Sequence, residues 1–213
     1  MKKRLILIGG GGHCKSVIDV IEQGDEFKIE GVIDSDSTII DVLGYPVLGG
    51  DRLIPTLVNK NTYFLITVGQ IKSFSIRFKI ASLLNKYNAQ LATIISPLAY
   101  VSRHAQINQG TVIMHRAFVN AASEVGKHCI INSFVNIEHD VRIEDYCHIS
   151  TCAVVNGGVT IKHGTFIGSN ATIINNIVIA ESVIVGAATS ISKDITQKGV
   201  YVGVPAKRIS KKL

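Results

Sequence analysis

From Val101 to Ile191, every sixth residue is Val or Ile: Val101, Ile107, Ile113, Val119, Val125, Ile131, Ile137, Ile143, Ile149, Val155, Ile161, Ile167, Ile173, Ile179, Val185 and Ile191. Four places after each stands a mostly small or β-branched residue, among them Ala105, Thr111, Ala117, Ser123, Cys129, Ala153, Thr165, Ala171 and Thr189. A helix would send residues six apart to different faces. A short strand followed by a tight corner places them alike, and three such sides close a triangular coil of about 18 residues, with neighbouring coils about 4.8 Å apart. Residues 98–196 therefore read as about five coils of a parallel β-helix built from hexapeptide repeats. The branched residues fill its interior and the small ones sit where the prism narrows. Cys129 and Cys147, 18 apart, are expected to stack inside as small core residues rather than to bind a metal or form a disulfide.

The pattern before residue 95 is different. RLILIGGGGHCKSVIDVIEQ (4–23) reads as strand, glycine loop and helix, with Val17, Ile18 and Ile21 on one helical face. EGVIDSD is a second strand ending at Asp34, YFLITVG (63–69) a third, and IRFKIASLLNKY (76–87) a further helix. Glycines let a ligand approach the backbone, and a helix N-terminus after them favours an anion. An acid ending the second strand resembles the ribose-binding acid of dinucleotide folds, although Cys14 stands where the third glycine of that fingerprint belongs. A purely structural turn explains the loop as well. The chain thus divides into a small Rossmann-like α/β domain over 1–95 and a β-helix with a C-terminal tail over 96–213, Pro97 marking the boundary.

Composition narrows the setting. Of 213 residues, 46% are apolar with no Trp, so the core is aliphatic. The N-terminal apolar run is only LILI, too short for a signal peptide, and nothing approaches the roughly 18 apolar residues of a membrane span. Four cysteines without paired spacing point to reduced thiols in a cytoplasm. The net charge of +6 is concentrated in Lys198, Lys207, Arg208, Lys211 and Lys212. Such a tail suits a phosphate-rich cofactor, a nucleic acid or plain solvation; the lack of interleaved aromatic residues lowers the nucleic-acid reading.

Three features coincide: the glycine loop ending in His13, the hexapeptide array, and GVYVGVPAKRI (199–209). Over nearly the whole chain they resemble the bacterial sugar acetyltransferases that include sialic acid O-acetyltransferases and nucleotide-linked 4-amino-sugar N-acetyltransferases. The resemblance implies a left-handed β-helix, whereas the crossover rule for parallel strands alone would favour the opposite hand. It also implies a homotrimer with sites between neighbouring prisms, and acetyl-CoA as co-substrate without a metal. In IEHD, His139 matches the family's catalytic base and Asp140 its acidic partner, which is often Glu. Asn132 matches a polar active-site residue, and Gly157 the glycine whose backbone N–H meets the thioester carbonyl. His148 matches a histidine on the acetyl-CoA side, Ser169 and Ala187 match contacts of the pantetheine arm, and Lys207 and Arg208 are assigned to coenzyme A phosphates. Gly11, Gly12 and His13 match the loop for the sugar nucleotide, with Asp34 and Gly69 closing the second and third strands. His13 favours the nucleotide-linked amino sugar over sialic acid.

Counting supports part of this. Gly157 lies 18 residues after His139, one coil along on the same side, where an oxyanion donor belongs. His139 and His148 are nine apart, half a coil, so His139 of one subunit is expected to meet His148 of its neighbour. The expected chemistry is direct transfer: His139, its basicity raised by Asp140, takes the proton of a sugar amine that then attacks the thioester. The alternatives are a sialic (or related nonulosonic) acid O-acetyltransferase, a zinc hydro-lyase of the carbonic anhydrase kind, a non-catalytic trimerising scaffold and a dinucleotide oxidoreductase. The hydro-lyase needs three imidazoles on one metal, and no His pair shows the H-x4-H spacing of that family. Nothing in the second half offers the oxidoreductase a hydride-transfer site.

Overall fold

The structure is a computed structural model describing residues 2–209; Lys211 and Lys212 of the basic tail lie outside the described residues. The first half contains β1 (Lys3–Ile8), α1 (Gly12–Glu22), β2 (Phe27–Ile33), β3 (Asp41–Val42), β4 (Tyr45–Gly49), α2 (Ile54–Leu57), β5 (Thr62–Ile66), α3 (Ser75–Lys86) and β6 (Gln90–Leu91). The sheet order is β3-β4-β2-β1-β5-β6. All pairings are parallel except the β3–β4 hairpin. Strands buried on both faces read as continuous apolar runs, as Leu5–Ile8 does. The carboxyl ends of β1, β2 and β5 carry the glycine loop, Asp34 and Gly69, the side where open α/β sheets take ligands.

The second half is a left-handed parallel β-helix. Its first face stacks two-residue strands at 94–95, 112–113, 130–131, 148–149, 166–167 and 184–185. The second stacks those at 100–101, 118–119, 136–137, 154–155, 172–173 and 190–191. The third stacks those at 106–107, 124–125, 142–143, 160–161 and 178–179. The prism begins at Ile94, which pairs with Val112, so its first strand precedes Pro97. Val200–Val202 extends the first face, and Lys207–Ile209 folds back antiparallel on it.

The period has a backbone cause that composition hides. Every sixth residue from Gly110 to Ala188, including Arg116, Phe134, Asp140, Tyr146 and Cys152, has a positive φ near 60°. A non-glycine residue there costs roughly 1–2 kcal/mol, and each interior Val or Ile buried stabilises by about 1.5–3 kcal/mol, so the stack tolerates corners that are mostly not glycine. The small interior residues also anchor the next coil. Thr111 and Ser123 hydroxyls donate to the carbonyls of Gly126 (2.7 Å) and Glu138 (2.6 Å), and the Cys129 and Cys147 thiols lie 3.2 Å from those of Glu144 and Lys162. Both thiols are free and buried.

The first domain covers the first face. Its outward residues are Ile94, Val112, Ile130, His148, Phe166 and Ile184, mostly apolar. Ile94, Val112 and Met114 share a core with Leu5, Val17 and Leu65. The outward residues of the third face, such as Gln106, Glu124 and Arg142, are more polar. Arg77, on α3, rivets the two halves. It is 1% exposed and donates to the carbonyls of Ile66 (3.0 Å), Val68 (2.6 Å) and, across the junction, His128 (2.9 Å).

Candidate active site

His139 stands on the corner between the second and third faces, just after the strand Asn136–Ile137. The corner is tied to both neighbouring coils: Asp140 donates its N–H to Ala121 and Gly158 donates its own to His139. Asp140 occupies the positive-φ position (φ 59), a conformation Asp adopts more readily than most residues. Its Oδ2 lies 2.8 Å from His139 Nδ1. A carboxylate only accepts, so Nδ1 carries the proton and Nε2 keeps its lone pair. Gly157 lies one coil along. A Cβ there would stand 2.6 Å from His139 Cε1 and 2.8 Å from Nε2, so the missing side chain is the space the imidazole uses. The Gly157 N–H has no acceptor among the described residues. The corner therefore holds an oriented base, half exposed, beside a backbone donor one coil away.

His148 stands on the first face, next to the corner that carries Asn132, Ser169 and Ala187. It points outward from the first face, where the N-terminal domain buries it to 7% exposure. Nδ1 faces the Gln70 carbonyl, so that nitrogen carries the proton, and Nε2 lies 3.4 Å from Asn132 Nδ2. Its ring is 6.5 Å from that of His13. Burial lowers the pKa of His148 to about 4 and that of His13 to about 3, so both are neutral near pH 7. His13 Nε2 is buried and meets no partner among the described residues.

The glycine loop separates by cause. Gly9 has φ +104 and packs on Val68, so its identity is structural. Gly11 and Gly12 have neither a positive φ nor any atom within 4 Å of an added Cβ. Internal packing does not require glycine there; close approach of an outside group would. Asp34 accepts from the Gly10 and Asp36 N–H groups, so its carboxylate shapes the loop. Gly69 would carry a Cβ in ordinary contact with His13.

Asn132, Ser169 and Ala187 share the corner between the first and second faces. Ser169 Oγ lies 2.9 Å from Ser150 Oγ, and Ala188 donates its N–H to Ser169. Lys207 is exposed on the returning strand. Arg208 uses two of its five N–H donors within the chain, on Gln197 Oε1 (3.1 Å) and the Lys198 carbonyl (2.8 Å). The expected residues thus form two groups, one around His139 and one around His148 and the glycine loop, with the second face between them. No three His, Cys, Asp or Glu side chains converge as metal ligands among the described residues, and no helix among them is long and apolar enough to cross a membrane.

Sequence reasoning passed over Glu138. Its Oε2 accepts from Asn120 Nδ2 at 2.8 Å and its Oε1 from Asn136 Nδ2 at 3.0 Å. The 18-residue spacing of Asn120 and Glu138 was the available signal.

Comparison with known proteins matches residues 4–84 to the PglD N-terminal domain and residues 122–157 to the bacterial transferase hexapeptide. A UDP-N-acetylbacillosamine N-acetyltransferase of Bacillus subtilis is 34% identical over 119 residues, 53% of this chain and 51% of that protein. The match thus spans about half the length of this curated relative. PerB of Caulobacter crescentus, solved with CoA and GDP-perosamine, superposes with a TM-score of 0.90 at 30% identity over 97% of each chain. The acetyltransferase domain of PglB from Neisseria gonorrhoeae superposes with a TM-score of 0.92 at 30% identity, covering 98% of this chain and all of that one.

Proposed function

The chain belongs to the bacterial sugar acetyltransferases that join a PglD-type N-terminal domain to a hexapeptide β-helix, and from that premise we propose that it transfers the acetyl group of acetyl-CoA to the amine of a nucleotide-linked 4-amino-6-deoxy sugar in the cytoplasm. The observation that carries this reading is the His139 imidazole, proton on Nδ1 toward Asp140 and Nε2 free, lying over Gly157. PerB, with CoA and GDP-perosamine bound, and the UDP-N-acetylbacillosamine enzyme supply the substrate class.

The sugar nucleotide enters at Gly11, Gly12 and His13, with Asp34 and Gly69 beside it. Acetyl-CoA lies along the corner of Ser169 and Ala187, with Lys207 and Arg208 as cations for its phosphates. His139 Nε2 takes a proton from the sugar amine, Asp140 stabilises the imidazolium, and the amine attacks the thioester carbonyl. The Gly157 N–H stabilises the oxyanion, and coenzyme A leaves as the intermediate collapses. Because the two groups of residues stand on different sides of one prism, a homotrimer completes each site, His139 of one subunit facing the His148 side of the next.

The test is thiol release from acetyl-CoA across UDP-, GDP- and dTDP-linked 4-amino-6-deoxy sugars, with sialic acid as comparison. Release with an amino sugar and none with sialic acid is expected. Release only with sialic acid refutes the reading.

A further inference from the structure

Resting on that reading, we infer that Glu138 is the residue that recognises the acceptor's ammonium group and so selects an amine over a hydroxyl. Glu138 immediately precedes His139 on the same corner. Two side-chain amides from different coils, Asn120 at 2.8 Å and Asn136 at 3.0 Å, each take one carboxylate oxygen. A charged side chain on a surface corner needs no such clamp for stability; solvation alone would satisfy it. The clamp fixes an anion in place beside the proposed base. The Asn136 Oδ1 is buried and without a partner among the described residues, so this cluster has acceptor capacity to spare and no donor to meet it.

The division of labour follows from proton affinity. The Asn120 amide first, then that of Asn136, with His139 adding to them, hold the Glu138 carboxyl below its ordinary range. A carboxylate so stabilised binds a cation and leaves its proton in place. The adjacent imidazole is left to remove it. An acceptor that arrives as an ammonium is thus held by one residue and deprotonated by the next. A neutral hydroxyl can donate one hydrogen bond to Glu138 but brings no charge to meet the carboxylate, so it gains less than an ammonium does. The ionisable neighbours on this corner are His139 and Asp140, while the coils on either side present Asn120 and Asn156, neutral at every pH.

The experiment compares wild type, Glu138→Gln and Glu138→Asp in acetyl transfer to the amino sugar and in equilibrium binding of the amino sugar and its 4-hydroxy counterpart. At pH 6.5, Glu138→Gln should raise KM and Kd for the amine about 10- to 100-fold, the scale of a hydrogen bond to a charged group. Binding of the hydroxy sugar, which loses no ion pair and keeps an amide oxygen to bond to, should weaken far less. The penalty should shrink as pH passes the amine's own pKa, near the value of about 8 for an α-amino group. Glu138→Asp, which keeps the charge, should recover most of the affinity. Equal weakening of amine and hydroxyl, or a fall in kcat alone at every pH, overturns the inference. Should Glu138→Gln unfold, wild type decides: affinity for amine and hydroxyl that is equal at pH 6.5 overturns it too. A wild type that acetylates no amino sugar refutes the proposed function instead, a different result from any of these.

Discussion

Replacing Gly157 by alanine separates the geometry of the base from the stability of the prism. The added methyl would stand 2.6 Å from His139 Cε1 and 2.8 Å from Nε2. Ordinary carbon contacts lie at about 3.5–4.0 Å, so the ring must retreat by about 1 Å. His139 has the room to do so, since its side chain is 60% exposed. Gly157 has no positive φ, so alanine imposes no backbone strain. An off-rotamer imidazole costs about 0.5–1.5 kcal/mol, and the stiffer unfolded chain returns about 0.4–1 kcal/mol. Stability should therefore change by less than about 1 kcal/mol, a shift of about 2–4 °C in the melting midpoint. A misplacement of this size in a reacting group costs about 10²-fold in rate, or about 2.7 kcal/mol of barrier. The assay is initial-rate thiol release at saturating acceptor, paired with a melting curve on the same preparation. We expect kcat about 10²-fold lower, KM little changed, and the midpoint within about 4 °C of wild type. Wild-type kcat would show that His139 need not lie over Gly157. A midpoint lower by 10 °C or more would make the glycine a structural requirement.

His139→Ala should lower turnover about 10²–10⁴-fold with unchanged melting; refolding it with His148→Asn in equal amounts should revive about a quarter of the sites if each is shared between two subunits of a ring, and none if both histidines act within one subunit. Arg77→Met strands the buried carbonyls of Ile66 and, across the junction, His128, and removes a donor from the partly buried carbonyl of Val68. We expect a loss of about 2–6 kcal/mol, at about 1–3 kcal/mol for each fully buried acceptor left unpaired, and, in limited proteolysis, faster cleavage around residues 88–94; an unchanged melting curve would show that the rivet carries no stability. His13, His128 and His148 are held by burial at pKa values of about 3, 4 and 4, below the unfolded value of about 6.5. Between those values the unfolded chain binds more protons, so stability is full above pH about 6.5 and is lost as pH falls toward 4. A melting midpoint flat from pH 7 to 4 would contradict it.

The six-residue period was enough to derive the prism, its aliphatic interior and the stacking of Cys129 and Cys147 on successive coils. Counting 18 residues also set Gly157 beside His139, because a coil repeats by translation and neighbours along the stack follow from arithmetic. The positive-φ corners were hidden, since Arg116, Phe134 and Tyr146 occupy them as readily as Gly158; the backbone constraint is imposed by the closed coil and offset by its interior. Counting also could not assign His148 its surroundings or give Arg77 a role. Three faces of a prism are equivalent by period, and which one a second domain covers depends on outward side chains such as Ile94, Val112 and Ile130 that the interior repeat does not constrain. Tertiary packing chose the first face. In doing so it buried one histidine against the glycine loop and left the other in solvent, because burial is decided by what lies opposite a residue and not by its place in the repeat.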